Sequence, residues 1–413
     1  MFTTLGVLKC WGQNQSGQIG DGTTVTKTSP TTINSGTAYS KVMTSGYTTC
    51  GITTVGVLKC WGLNSSGQVG DGTTTNKTSP TIIDSGTSYS FVITKSKATC
   101  GIVVGTNALK CWGSNLYSNI GDGTSTSRSV PATLEADTYS QIAIGNNESC
   151  AINSVGVLKC WGRNDFGQVG DGTFVNKTAP VVIDSGTTYS TIVPDLQTCG
   201  LTAANVLKCW GGNTGGAVGN GTTVNQSTPV VVDSGTTYSK ISVNSFCTCG
   251  ITSASVLKCW GTNTFGQVGD GTTVNKLVPT VIDSGTNYSA IATGFGATCG
   301  ITTAGVLKCW GSNGYGTLGD GTTTSRSSPV VIDSGTNYSK VEVSGNTTCA
   351  ITTAGVLKCW GFNTAGEVGD GTTTNRNLPI LPDAGTNYSQ TAPGYNNCGL
   401  TTAGVVKCWG ENT

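Results

Sequence analysis

Sixteen of the 18 cysteines fall into pairs spaced for a cross-strand bridge. Eight follow a small polar residue: Cys50, Cys100, Cys150, Cys199, Cys249, Cys299, Cys349 and Cys398. Each is followed 10 or 11 residues later by a cysteine within VLKCWG or a near variant: Cys60, Cys111, Cys160, Cys209, Cys259, Cys309, Cys359 and Cys408. Residues ten apart and centred on a three-residue hairpin loop face each other, within reach of a disulfide. Eight intra-hairpin bridges are expected. The 11-residue spacing of Cys100 and Cys111 carries its extra residue in the turn VGTNA, which leaves the pairing intact. Zinc is the rival chemistry, but it gathers cysteines two to four apart, commonly with histidine. The chain has no histidine and only one closely spaced pair, Cys247 and Cys249. Cys10 and Cys247 are left over, as unpaired or intermolecular thiols. Such cysteine usage implies an oxidising compartment: extracellular, cell surface or periplasmic.

Catalysis finds little to work with. There is no histidine for general-base chemistry, and the acids recur in periodic rings. One ring is Asp21, Asp71, Asp122, Asp171, Asp270, Asp320 and Asp370; another is Asp84, Asp184, Asp233, Asp283, Asp333 and Asp383. A lysine before every CWG and a basic residue in most long loops give these rings local partners. Calcium would need several carboxylates in one loop, and each loop offers one. The GDG triplets read as turns, because no Lys-Ser/Thr follows them as in a phosphate-binding loop. No metal and no cofactor is expected. A Trp in every repeat reads as packing between repeats.

The elements that position these residues follow from one period. The CWG cysteines recur every 49 to 51 residues from Cys10 to Cys408, the mark of a supersecondary unit stacked on copies of itself. A full unit, Tyr288 to Asn337, contains four β-rich runs separated by Gly, Asn and Asp clusters: an inner YSAIATG, then TCGITT, then VLKCWG, then an outer PVVID. Four strands per repeat suit a propeller blade. The expectation is an all-β propeller of seven or eight blades with one disulfide each. It forms a single repeat domain over 1–413, with a partial blade at 1–37, seven complete repeats at 38–386 and a partial blade at 387–413. The 61 glycines, the 10% charged content and the net charge of +1 leave no field to gather nucleic acid. No apolar run approaches the ~20 residues that span a bilayer, so membrane insertion is not expected. No secretory leader precedes Phe2, which is expected of a processed or partial chain.

The segments CWGQNQSGQIGDGT, CWGLNSSGQVGDGT, CWGRNDFGQVGDGT and CWGTNTFGQVGDGT resemble the regulator-of-chromosome-condensation repeat. The resemblance covers essentially the whole chain, and the cysteine-bearing form is similar to secreted bacterial members. It implies a β-propeller, usually of seven blades, and does not transfer an activity. The disulfides and the neutral charge argue against guanine-nucleotide exchange.

Positions that vary between repeats are not required by the blade. They cluster after the inner strand, at Tyr47, Lys95, Lys97, Glu148, Leu196, Phe246, Phe295 and Tyr395, and after WG-x-N, at Tyr117, Phe166, Phe265 and Tyr315. In an antiparallel four-stranded blade both connections emerge on one side, and the ten of these other than the lysines form a candidate interaction face. The expected role is a non-catalytic extracellular structural or self-assembling surface protein. The alternative is a secreted protein-binding propeller of the receptor-ectodomain or enzyme-inhibitor type. Its partner is a protein or copies of itself.

Overall fold

The computed structural model describes residues 7–410, apart from 13, 46, 96, 365, 393–395 and 402–405. It is an all-β propeller whose blades are built from short antiparallel strands. A single 3-10 turn, Thr214–Gly216, is the one helical element among the described residues.

One blade illustrates the rest. Its inner strand is the second half of β2 (Lys27–Ser45), followed by β3 (Thr48–Thr53), β4 (Leu58–Gly62) and the outer β5 (Lys77–Ile82), in that order; β1 is Val7–Gly12. All six residues of β3 are buried, which explains its unbroken run of small and apolar side chains. The outer strand is mostly half-exposed. It carries Pro80 near its centre, and the six following outer strands carry Pro131, Pro180, Pro229, Pro279, Pro329 and Pro379. A proline in an edge strand removes a donor and blunts edge-to-edge pairing.

The register places Cys50 opposite Cys60, with Thr49 opposite Trp61. Seven disulfides join Cys50–Cys60, Cys100–Cys111, Cys150–Cys160, Cys199–Cys209, Cys249–Cys259, Cys299–Cys309 and Cys349–Cys359. The insertion before Cys111 is absorbed in the turn, where Asn107 takes a positive φ and donates its N–H to the Val103 carbonyl. Cys398 and Cys408 are also opposite each other in register; their side chains lie outside the described residues.

Blades are locked together by tryptophan. Trp61, Trp112, Trp161, Trp210, Trp260, Trp310 and Trp360 are fully buried. Each indole N–H donates to a carbonyl in the long loop of the preceding repeat, from Gln18 for Trp61 (2.9 Å) to Thr317 for Trp360 (2.9 Å). The same carbonyl accepts a strand hydroxyl, as Gln267 does from Thr298 at 2.9 Å. This bond explains part of the GDG motif. Gly269 lies against the Trp310 ring with φ +89°, and a Cβ there would come within 2.5 Å of Nε1. The buried Asn of WG-x-N braces the rest of the loop. Asn64 donates to Asp71 (3.1 Å) and to the Thr73 and Thr75 carbonyls, and accepts the Val69 N–H.

The aspartate rings are consumed by local pairing. Asp71 binds Lys77 at 2.5 Å, and the same loop pair recurs from Asp21 with Lys27 to Asp370 with Arg376. In the connections between blades, Asp84 accepts from both Tyr89 (2.7 Å) and Lys110 (2.6 Å). The third repeat uses Glu135 and Asp137 together on Lys159. Lys59, whose counterpart position holds Asn34, has no ion pair among the described residues, and burial lowers its pKa.

The two ends of the repeat array meet in one sheet. Strands Tyr388–Ala392, Asn396–Thr401 and Val406–Gly410 continue into β1 and then β2. Val406–Gly410 runs parallel to β1, with Lys407 opposite Lys9. The first half of β2 pairs with β1 and its second half with β3. The duplicated KCWG segments therefore lie side by side and join the seven four-stranded units into a closed circuit.

Candidate interaction face

Seven equivalent backbone bonds bring the two variable loops of each repeat together. The residue after Trp-Gly donates its N–H to the carbonyl just before the second strand: Leu63 to Tyr47, Ser114 to Lys97, Arg163 to Asn147, Gly212 to Leu196, Thr262 to Phe246, Ser312 to Gly296 and Phe362 to Asn346, at 2.8 to 3.0 Å. The inner-strand connections and the long loops consequently open on one face.

Aromatic side chains gather there. Phe295 is 72% exposed and Phe265 54%, with Tyr315, Tyr47 and Phe246 also exposed. Phe246 and Phe295, from neighbouring repeats, meet edge to face with centroids 6.2 Å apart. Tyr315 meets Phe362 at 5.0 Å, again across a repeat boundary. In the earlier repeats the half-buried Tyr117 and Phe166 hold the Arg163 guanidinium between them, 5.2 and 5.4 Å from the ring centroids. Asp165 pairs with Arg163 at 2.7 Å. Leu196 is half-buried, and Tyr395 lies outside the described residues. Phe362 and Arg163 are additions to the residues read from sequence. Both occupy the position after Trp-Gly, where the other repeats hold Leu63, Ser114, Gly212, Thr262 and Ser312, so their departure from the repeat was visible.

Glu148 does not belong to the exposed set. It begins the strand Glu148–Asn153 and is wholly buried, at the position of Thr48, Ala98 and Thr347 in other repeats. One carboxylate oxygen accepts the Asn147 N–H at 3.2 Å, and the other has no partner among the described residues. Burial, reinforced by the charge of Asp195, pushes its pKa up to about 7, against the opposing pull of Asn147 and Lys95. Cys247 takes the same strand position and is buried, with its thiol pushed up to about 12 by desolvation. Cys10 is likewise a buried free thiol, so neither is presented to a second chain.

The inner-strand ends converge on a polar knot. Asp195 Oδ1 accepts from Asn146 Nδ2 (2.7 Å), Ser245 Oγ (2.6 Å) and the Leu196 N–H (2.7 Å), linking three successive repeats. Beside it opens a cavity of roughly 570 Å³, walled by Phe246, Phe295 and Phe362 and by Lys95, Asp195 and Glu367. Among the described residues no group of three or more His, Cys, Asp or Glu side chains is arranged to hold a metal ion. No helix among them is long and apolar enough to cross a membrane.

A disulfide-bearing propeller with one aromatic loop face defines the class of protein. Residues 259–301 and 305–351 match the regulator of chromosome condensation (RCC1) repeat, and residues 139–168 and 288–317 match a second form of it. These segments are RCC1 repeats. Among solved structures, the chain is similar to human WBSCR16, with a TM-score of 0.63 and 16% identity over 82% of this chain and 96% of that one. Prp20p from Saccharomyces cerevisiae, described with its binding to Gsp1p and histones, superposes with a TM-score of 0.66 at 13% identity, over 100% of this chain and 93% of that one. Yeast RCC1 (Prp20) with Kap60 bound gives 0.64 at 14% identity, over 99% and 90%. At these identities the likeness is one of fold. No curated protein sequence matches the chain.

Proposed function

We propose that the protein is a non-catalytic binding propeller that engages another protein through its loop face. The observation that carries this is the collection of Phe246, Phe265, Phe295, Tyr315 and Phe362 on one face by backbone bonds repeated in every blade. Exposed aromatics at a rim are the composition of protein-binding hot spots. Yeast RCC1 (Prp20), of the same fold, is described with Kap60 bound. The seven disulfides support action in a non-reducing setting outside the cell.

A distinct partner is favoured over self-assembly through the chain ends. Strand β1 is paired on both edges, by β2 and by Val406–Gly410, and the latter is paired on both of its edges too. Proline in the outer strands weighs against lateral polymerisation in the same way. The test is retention of binding proteins from the native medium on immobilised protein, with Phe265→Ser/Phe295→Ser as comparison. Loss of the retained species at unchanged melting temperature is expected; equal retention by the double variant removes the reading. Sedimentation of the pure protein separates self-association, which would appear as concentration-dependent growth.

A further inference from the structure

The cavity at the convergence of the inner-strand ends has a chemical preference that the rest of the face lacks. Three of its walls are phenyl rings, Phe246, Phe295 and Phe362. Aromatic faces carry a negative quadrupole and attract cations, more strongly as water is excluded. Asp195, in the cavity wall, adds a carboxylate that is held in place. All three of its hydrogen bonds fall on Oδ1, while Oδ2 accepts none among the described residues. Three donors on one oxygen fix the group without spending the other. Glu367 supplies a second carboxylate, 4% exposed, at the position where four other repeats hold Gln18, Gln68, Gln168 and Gln267. The other described repeats hold no acid at this position. Against these two stands one cation, Lys95.

We propose that this cavity binds a positively charged side chain, Lys or Arg, presented by the partner protein. The proposal rests on the loop-face reading above and names the group that anchors it. The volume of roughly 570 Å³ admits such a side chain with its flanking backbone, and lies within the ordinary range of ligand pockets. An arginine suits the site doubly, since its planar guanidinium stacks on phenyl rings while pairing with a carboxylate. The same fold already seats an arginine this way on its own surface, between Tyr117 and Phe166 beside Asp165. An acidic side chain would meet two carboxylates and one lysine.

The test is titration of the protein with blocked tripeptides, acetyl-Gly-Arg-Gly-amide and acetyl-Gly-Lys-Gly-amide, against acetyl-Gly-Glu-Gly-amide, read by chemical-shift changes. Saturable binding of the basic peptides alone is expected, perturbing Asn244 to Phe246 and Gly345 to Thr347. Phe295→Ser and Asp195→Asn should each weaken it about fivefold or more. Lys95→Ala should tighten it, because a like charge is removed. Equal binding of the glutamate peptide, absence of basic-peptide binding up to millimolar concentration, or indifference to both Phe295→Ser and Asp195→Asn would overturn the proposal. Partner retention that depends on Phe265 and Phe295 without basic-peptide binding would sink this inference and leave the broader reading standing.

Discussion

The Trp310 indole N–H donates to the Gln267 carbonyl at 3.0 Å, across the boundary between two repeats. The contact recurs in seven blades and couples one repeat's third strand to its predecessor's long loop. Two substitutions separate its parts. Trp310→Ala removes a buried aromatic side chain and should cost about 3 to 5 kcal/mol. Trp310→Phe keeps most of the buried area and should cost about 1 to 2 kcal/mol, because the Gln267 carbonyl retains the Thr298 hydroxyl. Gly269→Ala attacks the same contact from the other side, and should destabilise through both its positive φ and the ring it would strike. Urea midpoints of the three variants test the ranking.

The hairpin bridges should act locally. Replacing both Cys299 and Cys309 by alanine removes one disulfide and should lower stability by roughly 2 to 3 kcal/mol while leaving circular dichroism unchanged. The two free thiols should behave differently. Cys10 and Cys247 are buried, and burial raises both pKa values, so alkylation should label them only in denaturant. Rapid labelling of either in native protein would contradict its placement.

Stability should fall as pH rises through neutrality. Glu148 is raised from its ordinary 4.5 to about 7, by burial first and then by Asp195; Glu342 is raised to about 7 by burial, against Lys340. Both bind a proton in the folded state that the unfolded chain releases above its ordinary pKa. The stabilisation is therefore fully present below about pH 4.5 and is lost as pH climbs through 7, a loss on the order of 3 kcal/mol for Glu148. Glu148→Gln should flatten this limb, giving a higher melting temperature than wild type at about pH 8. A wild-type profile already flat from pH 5 to 8 would refute the assignment.

A second limb of opposite sign belongs to the aspartates. Burial alone would raise Asp84, but hydrogen bonds from Lys110 and Tyr89 and the charge of Lys110 hold its carboxyl below the ordinary value of 3.8. Asp71, with Lys77 and Thr73, is lowered in the same way. Their stabilisation is present above that ordinary value and is lost as pH falls through the depressed one. Asp84→Asn should remove part of the acid limb while leaving the neutral limb intact. The melting-temperature maximum should lie near pH 4 to 5.

The hairpin spacing made much of this fold legible. The separation of ten between Cys50 and Cys60 implies a three-residue turn and facing strands, and the one interval of 11, Cys100 to Cys111, places its surplus in the turn. The single loop face was also legible, because strand parity alone decides which connections share a side. Glu148 was misplaced because one residue separates a loop tip from the first buried residue of a strand, and sequence bounds are no sharper than that. The cavity was illegible for a different reason. Lys95, Asp195, Phe246, Phe295 and Phe362 come from five repeats, and only closure of the ring brings them to one place.

That closure has a kinetic side. Within a blade, paired residues are separated by no more than a few tens of positions, so each can form from local chain encounters. Lys9 and Lys407 are roughly 400 positions apart, so their pairing closes a far longer loop than any pairing within a blade. The parallel seam is therefore expected to form late on refolding and to slow it, and substitutions in β1 should lower the refolding rate measured by stopped-flow fluorescence. Until then β1 and Val406–Gly410 each present an unpaired strand edge, which makes dilute solution the condition under which the ring closes on itself.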